Sequence, residues 1–320
     1  PLTHIDDEEG EIALCILSAI NVGLLKELDD LEELCELAVR ALDEIIDYQR
    51  YPVKAAEIST KRRRSLGVGY IGLAHYLARE GVKYSDKKAL TKVHELSEAF
   101  QYYLWTASNK LAEEKGKCEY FDRTKYADGI LPIDTYKKDV DTITPHVLKC
   151  DWDKLRTCIK VHGLRHSTLT AQMPSESSSV VSNATNGVEP PRALVSYKQS
   201  KDGVMAQVVP QIHNLKNKYD LLWDQKGPEG YLKIMAVIQK YVDQGISVNT
   251  SYNPAQYEDN KVPMSEMMKD LITFYKYGGK QLYYFNTNDL AIEDESTEDL
   301  SRDDFATQQE YDDYCESCTL

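Results

Sequence analysis

No stretch of this chain reaches the roughly 20 consecutive apolar residues that a membrane-spanning helix requires. No signal-peptide pattern opens it either. A basic face is missing: 38 Lys and Arg stand against 52 Asp and Glu, a formal net charge of -14. That balance argues against nucleic acid as a partner, because binding there depends on cations that release counterions from the phosphates. A small phosphorylated ligand remains compatible, since a local cradle works inside an acidic protein. Disulfide spacing is lacking too, for the seven cysteines (15, 35, 118, 150, 158, 315 and 318) are odd in number and scattered. Metal-ligand spacing is equally scarce. Cys150 and Cys158 are too far apart for a zinc knuckle, and Gly163 argues against the helix that would align His162 with His166, so no metal is assigned. There is no internal repeat. These absences predict a cytoplasmic, globular protein without nucleic-acid or membrane partners.

What is present is a core-forming pattern, with 42% hydrophobic residues in 320. The apolar run Ile12 to Leu17 predicts a strand buried on both faces, with Cys15 as a small hydrophobe inside it. From Asp30, apolar residues recur at three and four and place Cys35 on the core face of a helix. Lys61 to Arg64 predicts a solvated cationic face, with a phosphate or subunit contact as the alternative. Gly67, Gly69 and Gly72 form a formal GxGxxG, but a cationic cluster stands where a dinucleotide site needs an apolar strand, so tight backbone packing is the expectation. Ser85 is expected to cap a long helix that ends at Gly116, with His94 one position off its apolar stripe and needing no metal. A short strand is predicted at Ser167 to Leu169 and helical segments at 221–223 and 232–242. A strand at Ile246 to Thr250, a helix at Ser265 to Tyr277 and a strand at Gln281 to Phe285 follow. Alternating helices and short buried strands predict a parallel α/β fold. Residues 1–290 form the folded part and 291–320 an acidic arm poor in aliphatics.

Three stretches carry chemistry. Residues 171–192, AQMPSESSSVVSNATNGVEPPR, follow a strand and open a helix near Ser177 and Ser178, where hydroxyls and unsatisfied backbone N–H groups favour an anion. Glu176 argues the other way unless its carboxylate turns aside, and on composition the stretch also fits a Ser-rich surface loop. Tyr283 and Tyr284 are adjacent phenols able to relay an electron and a proton. With 22 tyrosines, about 1.5 such pairs arise by chance, and stacked rings on a strand would require the strand to break there. Cys315 and Cys318 form a Cys-x-x-Cys suited to thiol–disulfide exchange; as a zinc site it is only half complete.

EIALCILSAIN at 11–21, MPSESSSVVSNATNGVEPPR at 173–192, QLYYFNT at 281–287 and the terminal CESC together resemble the large, catalytic subunit of class I ribonucleotide reductase, in its carboxyl-terminal half. The resemblance implies one half of a ten-stranded α/β barrel with long helices, completed by a separate amino-terminal piece. The start at Pro1 suits a split subunit, a chain cut from a longer one, or loss of an initiator Met. The resemblance further implies that Glu176, Ser177 and Ser178 lie at the diphosphate of a ribonucleoside diphosphate. Cys15 would be one member of the redox pair that reduces the ribose, with its partner in the amino-terminal half. Tyr283 and Tyr284 would be the last radical relay, and Cys315 and Cys318 the tail pair that re-reduces Cys15 and is reduced by thioredoxin or glutaredoxin. The chain would bind no cofactor itself: a tyrosyl radical and di-metal centre would belong to the small subunit, and nucleotide effectors to the amino-terminal half. A non-catalytic nucleotide-binding or assembly subunit of the same fold is the alternative.

Overall fold

A computed structural model describes residues 10–14, 16–200 and 203–288. Cys15, Cys315, Cys318 and the acidic arm at 291–320 lie outside the described residues.

The chain begins with β1 (Ile16–Asn21), α1 (Asp30–Tyr48), α2 (Lys54–Arg63), β2 (Leu66–Ile71), α3 (Leu73–Glu80) and α4 (Lys87–Lys115). It continues through α5 (Pro132–Thr135), α6 (Trp152–His162) and α7 (Glu176–Val181) to the antiparallel hairpin β3 (Val195–Ser200) and β4 (Gly203–Val208). Then come α8 (Ile212–Leu215), α9 (Glu229–Gln239), β5 (Thr250–Tyr252), α10 (Met264–Lys276) and β6 (Phe285–Thr287).

Five extended segments run parallel, in chain order. β1 pairs with β2, and β2 pairs with residues 168–171 through Leu66 N–H to Thr168 O and Val68 N–H to Leu169 O. That segment meets residues 244–252 at a parallel bridge between Gln172 and Ile246, and β5 pairs with β6. Helices fill the crossovers, which is how parallel strands are joined. The described residues form no closed barrel.

Periodicity placed α1, α4, α9 and α10 to within a few residues, and α2 and α6 carried no such expectation. In α1, Leu31, Cys35, Val39, Leu42 and Ile46 are buried. They pack against α4, whose Leu90, Val93, Leu96, Phe100, Leu104 and Leu111 form the facing stripe. The α4 cap differs from expectation: Asp86, not Ser85, is the N-cap residue, and its carboxylate accepts the Lys83 N–H at 2.8 Å. Residues 221–223 give only a single 3-10 turn at Leu222–Asp224. Three of the four expected strands begin later than the apolar runs do, the exception being the segment at Ser167 to Leu169, which pairs with β2. Regular pairing starts at Ile16, Thr250 and Phe285, and β1 is half-buried with Leu17 51% exposed. The face that carries Leu17 is uncovered among the described residues, so the expected two-sided burial fails there.

The cationic cluster is a solvated face only in part: Lys61 is exposed and Arg62 and Arg63 are half-buried. Arg64 is buried in a left-handed conformation, with its guanidinium 2.6 Å from Asp43 and 2.8 Å from Asp47. Asp43 also meets His166 Nε2 at 3.2 Å, and His166 Nδ1 lies 2.9 Å from Ser108 Oγ. This Ser–His–Asp arrangement is wholly buried, so no substrate reaches it. The glycine motif does serve backbone packing. A Cβ on Gly69 would lie 2.4 Å from the Ala171 carbonyl oxygen, and Gly72 has φ +79. His94 is buried against Tyr241 Oη at 2.9 Å and the Val147 carbonyl at 3.2 Å.

Candidate functional site

The segment ending at Gln172 runs directly into the Ser-rich stretch expected to cradle an anion, here called the cradle. Ser175 is the N-cap position of α7, so the helix starts where the Ser-rich pattern predicts. Ser178 Oγ and Ser179 N–H both donate to the Ser175 carbonyl, at 3.0 and 2.9 Å. Glu176, Ser177 and Ser178 are exposed together on this first turn, while Ser179 is buried. Its Oγ accepts the Gly187 N–H at 3.3 Å and folds the following loop back on the helix. Gly187 has φ +49, and a Cβ there would sit 2.9 Å from Ser175 Oγ. Ser175 Oγ itself is buried and has no hydrogen-bond partner among the described residues.

The loop rests on the carboxyl ends of β1 and β2. Gly72 N–H donates to Thr185 O at 3.0 Å, Leu73 N–H to Gly187 O at 3.2 Å and Asn21 Nδ2 to Ser182 O at 3.5 Å. In parallel sheets this is the end where ligands bind.

Tyr283 and Tyr284 lie toward the same end. Gln172 bridges Ile246, whereas Tyr283 N–H donates to Val248 O, two residues further along the shared strand. The two rings are 4.1 Å apart between centroids and tilted by 49°. They are about half exposed, and a hydrogen bond with Tyr284 pushes the Tyr283 phenol up. Adjacent residues of a regular strand point to opposite faces. Here regular pairing begins only at Phe285, and Tyr284 N–H donates at 2.9 Å to the side-chain Oδ1 of Asn249. The break that stacked tyrosines require is therefore present.

Two polar residues beside the site have nothing in their immediate neighbours to single them out, although Glu189 falls inside the 173–192 stretch that carries the resemblance. Glu189 Oε1 accepts from Asn249 Nδ2 at 2.5 Å, and its Oε2 from Asn186 Nδ2 at 3.4 Å. Burial raises the Glu189 carboxyl above the usual range, against the Asn249 hydrogen bond and nearby Arg192. EPPR reads only as a turn.

The large cavity, about 750 Å³, lies at the opposite end, near Ser167, Asp243 and Lys280. Two of its cations are engaged within the fold: buried Lys240 with Asp141 at 2.9 Å, and exposed Lys280 with the carbonyls of Val242, Asp243 and Gln244. Among the described residues no group of three or more His, Cys, Asp or Glu is arranged to hold a metal, and no helix is long and apolar enough to cross a membrane.

Residues 3–285 match the family model for the ribonucleotide reductase barrel domain. The chain is 58% identical over 291 residues to the ribonucleoside-diphosphate reductase subunit alpha of Haemophilus influenzae, covering 91% of this chain and 38% of that protein. It is 55% identical over 246 residues to the ribonucleoside-diphosphate reductase 1 subunit alpha of Escherichia coli strain K12, covering 77% of this chain and 32% of that protein. Against the subunit alpha of Enterobacteria phage T4 the identity is 44% over 324 residues, covering 100% of this chain and 41% of that protein. The chain thus spans well under half the length of the curated relatives it matches. On a match running through both the cradle and the tyrosine pair, the chain belongs to the ribonucleotide reductase barrel-domain family.

Proposed function

We propose that this chain supplies part of a ribonucleoside-diphosphate reductase, which converts ribonucleoside diphosphates to 2'-deoxyribonucleoside diphosphates by thiyl-radical chemistry. The observation that carries the reading is the tyrosine pair, 4.1 Å between ring centroids, set toward the same end of the parallel segments as the exposed first turn of α7. Two phenols in contact divide a long electron transfer into short hops, and their exposure leaves the outer ring accessible to a partner.

Glu176, Ser177 and Ser178 hold the substrate diphosphate. The Ser177 hydroxyl and the N–H groups of the first turn donate to phosphate oxygens, the Ser178 hydroxyl joins them only on leaving the Ser175 carbonyl, and the Glu176 carboxylate turns aside. Cys15 and a cysteine from outside this chain each give up a hydrogen and form a disulfide; the ribose 2'-hydroxyl departs as water and a C–H bond replaces C–O. Cys315 and Cys318 on the arm 291–320 reduce that disulfide by exchange and pass the oxidation to thioredoxin or glutaredoxin. The oxidising equivalent comes from a small partner subunit carrying a radical and a metal centre. The five parallel segments support assignment of residues 1–290 to one half of a ten-stranded barrel, with the other half and the effector nucleotide sites in a preceding piece.

The test mixes this chain with the separately produced remainder of a large subunit and a radical-bearing small subunit. Ribonucleoside diphosphate reduction with thioredoxin is measured alongside each piece alone. Turnover in the full mixture only is the expected result. An assembly that binds substrate and never turns over would leave the non-catalytic nucleotide-binding reading in its place.

A further inference from the structure

The cradle and the tyrosine pair are joined by a continuous polar bridge. It starts at Ser179, the buried serine of α7, whose Oγ accepts the Gly187 N–H at 3.3 Å. One residue earlier in the same loop, Asn186 donates to Glu189 Oε2 at 3.4 Å. Glu189 Oε1 takes the Asn249 amide at 2.5 Å, and Asn249 Oδ1 takes the Tyr284 N–H at 2.9 Å. Each link is a hydrogen bond or a step along one short loop.

The chemistry of each member suits its place. A carboxamide has donors on nitrogen and an acceptor on oxygen, so Asn249 serves a carboxylate and a backbone N–H at once. An aspartate there would lack the donor, and a leucine would lack both. A carboxylate has acceptor sites to spare, so Glu189 receives Asn186 and Asn249 on different oxygens. In a regular ladder the Tyr284 N–H would be held by a backbone carbonyl of the neighbouring segment. Here a side chain holds it, so the placement of Tyr284 depends on where Asn249 sits, and Asn249 is held by Glu189. Burial is what chiefly raises the Glu189 carboxyl, against the Asn249 hydrogen bond and Arg192, and Glu176 of the cradle adds a smaller push in the same direction as burial.

We propose that Glu189 and Asn249 are positioning residues that tie the geometry of the tyrosine pair to the cradle, so that a diphosphate bound at Glu176, Ser177 and Ser178 moves Tyr284. This rests on the reading of the cradle as a diphosphate site. A bound ligand shifts a distant group only through an interaction that differs between the two states. The differing interaction here is the pull of the anion on the 175–187 loop, passed through Asn186 to the Glu189 carboxylate. Relay oxidation would then be favoured when substrate is in place, and the tyrosines would sit differently when it is absent.

The experiment places 3-fluorotyrosine at position 284 of the full 320-residue chain and titrates inorganic pyrophosphate. The fluorine resonance reports the ring's surroundings, and the phosphorus linewidth of pyrophosphate reports binding in the same sample. In the parent chain pyrophosphate is expected to broaden and the fluorine resonance to move. In Asn249→Ala the broadening persists and the fluorine movement is lost; in Glu189→Gln, which keeps an acceptor for Asn249 but loses one for Asn186, the movement is reduced. Undiminished movement in Asn249→Ala overturns the proposal, and so does undiminished movement in Glu189→Gln if the alanine variant fails to fold. A parent chain that leaves the phosphorus line unchanged overturns the cradle reading and the coupling with it. The phosphorus signal therefore separates the two failures.

Discussion

At the scale of single residues, the tyrosine pair and the buried Asp43 cluster make opposite demands on water. Tyr283 and Tyr284 keep about half their surface exposed. Tyr284→Phe preserves the ring and removes the phenol, so reduction by the assembled enzyme is expected to fall to background while substrate binding stays unchanged; equilibrium binding beside a turnover assay checks both. Asp43 is fully buried. Burial alone would raise its carboxyl, but hydrogen bonds from His166 and Arg64 outweigh that and hold it well below the usual range. Burial pushes His166 down, against the pull of Asp43. Both folded-state values are depressed, so both act in one direction. As pH falls below about 6.5, the unfolded chain takes up the histidine proton before the native chain does, and stability declines. The Asp43 contribution is complete above an unfolded value of about 3.9 and is lost as pH falls further, through the depressed native value. Urea midpoints should therefore drop between pH 7 and pH 5. His166→Asn should flatten that decline, whatever it costs at neutral pH.

At the scale of elements, glycines decide how closely β2 and the cradle loop approach their neighbours. All six residues of β2 are buried. A methyl group on Gly69 would sit 2.4 Å from the Ala171 carbonyl, a distance that forces the two segments apart. Gly69→Ala is expected to cost about 1–3 kcal/mol, the range for overpacking a tight interior, and chemical denaturation measures it. Gly187 differs, because its positive φ is required as well as its lack of volume. Much of this was legible in advance. The GxGxxG stretch lacked the apolar lead-in of a dinucleotide site, and the Ser-rich turn marked the start of α7 to within a residue or two. The strand starts were not legible, since Ile12 to Leu17 and Gln281 to Phe285 are apolar before they are paired. Hydrophobic runs report burial against anything, whereas a ladder needs a neighbour.

At the scale of the whole molecule, the parallel run has two edges, at β1 and β6, and both present apolar surface. Leu17 is 51%, Leu282 45% and Phe285 54% exposed. Exposed edges of this kind invite pairing. The chain alone is expected to self-associate at micromolar concentration and to melt at a lower temperature than when mixed with the remainder of a large subunit. Light scattering and a thermal melt of both samples check this, and equal melting temperatures would sink the idea of a shared barrel.

Local patterns in the sequence determined the parallel α/β class, the long amphipathic helices, the cradle helix start and the need for a broken strand at Tyr283 and Tyr284. Each of these depends on residues a few positions apart, where periodicity, capping and backbone sterics act. Only the tertiary structure decided that Arg64 would be buried on Asp43, 21 positions away, or that Asn249 would accept the Tyr284 N–H across 35 positions while donating its own amide to Glu189. Those contacts are selected by desolvation. A buried charge or amide must find a partner wherever the fold brings one, and nothing in its immediate neighbours along the chain says which partner that will be.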